Sequence, residues 1–86
     1  VYAKKVLRLD TLSDKSMAAA FVKTMESVED AFIKDNFIEI LFSGNREQIP
    51  ILHKKLVGQG IEVVSFYEYR QNLEEIFMSL SVKEVS

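Results

Sequence analysis

Two short β-rich runs, "VEDAFIK" and "FIEILF", lie in the middle of the chain and are separated by Asp35 and Asn36 alone. Valine, isoleucine and phenylalanine suit a pleated surface, and Asp and Asn tolerate the positive φ angles of a tight turn, so this stretch predicts an antiparallel hairpin. A central hairpin constrains everything on either side of it. Upstream, "AKKVLRL" alternates, with Lys5, Leu7 and Leu9 on one side and Lys4, Val6 and Arg8 on the other, the period of two expected of a strand. Between the two comes "TLSDKSMAAAFVKTM", where Ser13 or Asp14 is placed to cap a helix and Ala18, Phe21, Val22 and Met25 recur at three- and four-residue spacing.

The pattern repeats downstream. Asn45 with Gln48 three residues on has the form of a capping box, Pro50 falls in the first turn, and Ile49, Leu52, Leu56 and Val57 form a helical stripe. Gly58 and Gly60 end that helix, and "IEVVSFYEY" reads as a fourth strand. A last helix is expected from Asn72, with Glu75 at its third position. The predicted order is β-α-β-β-α-β plus a C-terminal helix: an α+β chain, expected as a ferredoxin-like two-layer sandwich with a four-stranded antiparallel sheet.

With 86 residues the chain is one domain, residues 1–86, and its start at Val1 rather than Met marks it as an expected piece of a longer protein. Charged residues at 28%, apolar residues at 48% and a net charge of -2 are those of a soluble folded domain and give no reason to expect nucleic acid as a partner. There is no cysteine, which removes disulfides, thiolate metal sites and cysteine nucleophiles and fits a reducing compartment. No apolar run approaches the ~20 residues needed to span a bilayer.

No motif carries chemistry. Glu74 and Glu75 are neighbours on a helix and point about 100° apart, so they cannot converge on one substrate atom; in a first turn they complement the helix dipole instead. His53 is the single histidine, beside Lys54 and Lys55, and zinc needs about three or four ligands. Gly58 and Gly60 fall between a helix and a strand, the reverse of a dinucleotide-binding loop. The strand aromatics Phe37, Phe42, Phe66, Tyr67 and Tyr69 read as core residues, because "DNFIEILF" does not match the RNA-recognition octapeptide. "DTLSDKS" does not supply the arginine-led loop of an acylphosphatase, and it lacks the glycine expected of an ACT-type small-molecule-sensing module, the alternative function for a chain of this strand order.

What stands out is apolar surface. In the third strand Ile38, Ile40 and Phe42 face one side and Phe37, Glu39 and Leu41 the other, so both faces are largely apolar. The terminal segment carries Leu73, Ile76, Phe77 and Leu80 at i, i+3, i+4 and i+7, with Asn72 and Glu75 as its cap. Phe37, Leu41 and this stripe are the candidate interaction residues.

"NLEEIFMSLS" resembles the closing signature of the small C-terminal domain on ATP-binding subunits of ABC exporters of the multidrug and antibiotic-resistance type, through Asn72, Leu73, Glu74, Glu75, Ile76, Phe77 and Leu80. The likeness extends more loosely through "VLRLD" and "LVGQGIEVVSF". It implies a nucleotide-binding domain ahead of this segment, with ATP and Mg as cofactors of the whole protein. The chain itself has no Walker or signature motif, so the resemblance implies an accessory, non-enzymatic role in an ATP-driven exporter. The implied partners are the ATPase domain of the same chain, a second subunit in a homodimer and the membrane permease, and the implied location is cytoplasmic, at the inner face of the membrane.

Overall fold

In a computed structural model, which describes residues 5–70, the chain runs β1 (Lys5–Thr11), α1 (Lys15–Lys23), β2 (Val28–Ile33), β3 (Ile38–Phe42), α2 (Ile49–Gly58) and β4 (Val63–Tyr69). The four strands make one sheet in the order β2-β3-β1-β4, and every neighbouring pair is antiparallel. The α+β class and the β-α-β-β-α-β order read from the sequence are present. The terminal helix expected from Asn72, with its cap and its stripe, lies outside the described residues.

Each helix is punctuated as its sequence requires. Asp14 caps α1, its Oδ2 accepting a hydrogen bond from the Met17 N–H at 3.2 Å. The capping box at Asn45 and Gln48 forms, with the Gln48 N–H donating to Asn45 Oδ1 at 3.1 Å and the Asn45 N–H to Gln48 Oε1 at 2.7 Å. It closes a 3-10 turn over Arg46–Gln48, and α2 follows. Gly60, at φ 87, ends α2 in the left-handed region that favours glycine, while Gly58 is still helical. Gly60 N–H donates to Val57 C=O at 3.0 Å and Ile61 N–H to Leu56 C=O at 3.1 Å. This double closure brings buried Ile61 onto buried Leu56, the apolar contact that accompanies such a stop.

The core lies on one face of the sheet. Leu7, Leu9, Ile38, Ile40 and Phe42 are fully buried there against Ala18, Ala19 and Val22 of α1 and Leu52 and Leu56 of α2. Alanines at the α1 contact keep side-chain bulk low and let that helix lie close to the sheet. The alternation read in β1 and β3 is the alternation observed.

Three expectations need correction. The β2–β3 turn uses no positive φ: among the described residues no non-glycine has one, and the loop instead closes through the Lys34 N–H donating to Phe37 C=O at 2.8 Å. A four-residue connection has room to reverse the chain in ordinary backbone regions. Val57, assigned to the apolar stripe of α2, is 56% exposed, because the buried arc is narrowed to Leu52 and Leu56. Of the five strand aromatics assigned to the core only Phe42 is buried; Phe66 packs partly against it, and Phe37, Tyr67 and Tyr69 lie on the opposite face.

Candidate functional site

That opposite face of the sheet bears no helix among the described residues. Strand register lays its side chains out in rows. Asp30, Leu41, Val6 and Tyr69 form one row across β2, β3, β1 and β4, and Phe32, Glu39, Arg8 and Tyr67 form the next. Val6, Phe37, Leu41 and Tyr69 are half-buried, whereas Phe32 and Tyr67 are 42% and 48% exposed. A soluble antiparallel sheet ordinarily turns a polar face to water. Among the described residues this face carries aromatic and aliphatic groups interleaved with Asp30, Glu39 and Arg8.

Arg8 organises the middle of the face. Its guanidinium carbon lies 3.6 Å from the centroid of the Tyr69 ring and 4.8 Å from that of Phe37, so the cation is held between two aromatic rings. Arg8 Nε is buried with no hydrogen-bond partner among the described residues. The carboxylates nearest in the sheet are engaged elsewhere: Glu39 pairs with Lys34 at 3.8 Å and Asp10 with Lys15 at 3.2 Å. Arg8, Asp10, Asn36, Phe37, Ser65 and Tyr67 line a recess of about 170 Å³, below the ~300 Å³ at which small-molecule sites begin. Geometrically the face suits a broad contact better than an enclosed ligand.

The helical side offers a wider depression of about 500 Å³ between the β3–α2 link and α2, lined by Met25, Glu26, Ser43, Gln48, Ile51 and Lys55 among others. It is open to solvent, and its lining mixes polar Glu26, Ser27, Ser43, Gln48 and Lys55 with apolar Met25, Ile51 and Leu52. His53 is exposed on α2 and stacks on Phe66, with ring centroids 5.7 Å apart. Among the described residues no three His, Asp or Glu side chains are grouped to hold a metal ion, and no helix is long and apolar enough to cross a membrane.

The sequence-derived candidates divide accordingly. Leu41 stands on the open face beside Val6 as its alternation implied, and Phe37, just ahead of β3, joins that face by stacking on Arg8. Leu73, Ile76, Phe77, Leu80, Asn72 and Glu75 lie outside the described residues. Sequence reasoning missed Arg8, Phe32, Tyr67 and Tyr69 as members of one surface. The signal was available for Arg8, since alternation in β1 places it opposite Leu7 and Leu9; the side taken by the tyrosines follows only from the pairing of β4 with β1. Joining them needs the strand order, which no single strand carries. No family model, curated protein or solved structure matches the chain.

Proposed function

We propose that the chain is an accessory, non-enzymatic interaction domain of an ABC exporter's ATP-binding subunit, contacting the ATPase domain or joining two such subunits. In this reading its fold is the ferredoxin-like two-layer sandwich, which the element order and the strand order β2-β3-β1-β4 support. The observation that carries an interaction role is the open sheet face. Burying its apolar groups against another surface is favourable at about 25 cal/mol per Å², and hydration of that face has no comparable gain. The link to an exporter comes from the terminal "NLEEIFMSLS" signature. ATP, Mg and the permease belong to the whole protein in this reading, which puts the domain at the cytoplasmic face of the membrane.

Two measurements test it. The coding sequence ahead of Val1 should contain Walker A, signature and Walker B motifs, and a frame without them removes the exporter assignment. In the protein that includes them, Leu41→Lys with Tyr67→Lys should loosen this domain from its partner, seen as faster cleavage at the junction in limited proteolysis. Unchanged protection would exclude the open face as the contact.

A further inference from the structure

One cation on the open face is left without a counter-charge. Three carboxylates share that face, and each has a lysine: Asp10 lies 3.2 Å from Lys15, Glu39 3.8 Å from Lys34 and Asp30 3.9 Å from Lys23. Glu39 stands directly opposite Arg8 in the β1–β3 register, yet among the described residues Arg8 enters no ion pair. Its guanidinium is held instead by the Tyr69 and Phe37 rings, and its Nε is buried with no acceptor. Arg8 also lines the recess of about 170 Å³ that it shares with Asp10, Asn36, Phe37, Ser65 and Tyr67. That is room for roughly five or six waters, and so for the tip of one side chain.

We propose that the open face docks a protein partner through a single aspartate or glutamate seated on Arg8 within an otherwise apolar contact. The physical reason is desolvation. A partner that covers Val6, Leu41, Phe37 and Tyr69 with apolar atoms alone would strip water from Arg8 and leave a buried cation unpaired, which is strongly unfavourable. A carboxylate removes that penalty, because it accepts two parallel hydrogen bonds from a planar guanidinium. The two rings already hold the group in place, so little side-chain freedom is lost when the acid arrives. Other occupants suit the face less well. A membrane surface or a nucleic acid presents many phosphates, and this face answers with one unpaired cation and three carboxylates. A second copy, packed face to face about a two-fold axis through the middle of the sheet, would bring two Arg8 cations together, since β1 is an interior strand.

This inference rests on the interaction-domain reading and names what the partner must carry. The probe is a synthetic amphipathic helix of about 20 residues with one Glu at the centre of a leucine face, beside a twin in which that Glu is Gln. Titrated into the 86-residue chain and followed by NMR, the Glu peptide should bind at least about tenfold tighter than its twin and should shift the Arg8 Nε–H resonance. In Arg8→Met the two peptides should bind equally, and Arg8→Lys should recover only part of the difference. The comparison of the two peptides is made on the parent chain, so it stands whatever a variant does to the fold. Equal binding of both to the parent would refute the carboxylate requirement and leave the open face standing as an apolar contact. Binding of neither would remove the face as the contact as well. Two further results would overturn the inference by naming another occupant. One is phosphatidylglycerol vesicles shifting the Arg8 resonance as the peptide does; the other is that resonance moving in Glu74→Gln with Glu75→Gln, which would give the acid to the chain's own terminal segment.

Discussion

Gly44 lies two residues past the end of β3, and an added methyl group there should be among the costliest small changes in the chain. A Cβ at Gly44 would stand 2.7 Å from Gln48 Oε1, 2.8 Å from Phe42 Cζ and 3.0 Å from Phe42 Cε2. The two neighbours respond differently. Gln48 is exposed and can swing away, but doing so releases the Asn45 N–H and breaks half of the capping box, a loss of about 1 kcal/mol. Phe42 is fully buried in the core, so its ring has nowhere to retreat, and overpacking of this kind costs about 1 to 3 kcal/mol. Gly44→Ala should therefore destabilise by roughly 2 to 4 kcal/mol, which for a domain of this size lowers Tm by at least about 8 °C. Urea unfolding followed by circular dichroism measures the free energy, and thermal melts measure the shift. Repeating the substitution in a Gln48→Ala background separates the two terms, because the ring term persists after the cap is gone. A Gly44→Ala protein within about 0.5 kcal/mol of the parent would refute the close approach.

Other substitutions probe the remaining devices. Gly60→Ala should cost about 1 to 2 kcal/mol because its φ is 87, whereas Gly58→Ala, helical and with nothing near its Cβ, should be neutral or stabilising by up to about 1 kcal/mol; equal effects in urea unfolding would contradict the assigned helix stop. Asp14→Ala should lose about 1 kcal/mol with the α1 cap, and Asp14→Asn or Asp14→Ser should restore most of it in the same assay. Arg8→Met should change stability by less than about 1 kcal/mol, since the lost stacking on Tyr69 and Phe37 is offset by removing a buried unpaired N–H. A loss above about 2 kcal/mol would mean that Arg8 Nε has a partner after all.

How far the sequence reached depends on the range of the interactions. Caps and stops are set by residues three to five apart, so the Asn45 and Gln48 box can be read directly, while the sequence narrows the α1 cap to Ser13 or Asp14 and the α2 stop to Gly58 or Gly60 and the structure selects Asp14 and Gly60. Strand faces depend on a period of two, and Leu7, Leu9, Ile38 and Ile40 fell on the core side where alternation placed them. Val57 failed because a stripe records which residues are apolar, while the width of the buried arc is decided by what packs on the helix. Tyr67 and Tyr69 failed as core residues for a related reason: aromatic character says a side chain suits a sheet, and only the pairing with β1 decides which side. Ile61 opens the β-rich run "IEVVSFYEY" in the sequence, yet it lies ahead of β4, is buried at 3%, and its N–H closes α2 on the Leu56 carbonyl.

Strand order is the longest-range fact of all, and it decides which surfaces remain for partners. It puts β1 and β3 in the middle, where both of their faces need cover, and leaves β2 and β4 at the edges, where one side of each backbone does. The side chains are distributed as that arrangement demands at one edge only: Glu29 and Asp30 defend β2, while β4 presents two valines and two aromatics before its first charge. Among the described residues β4 is therefore the less defended edge, set beside an apolar groove on a sheet whose outer face carries Phe37, Tyr67 and Tyr69, and its position in the strand order is what makes both surfaces candidates for contact.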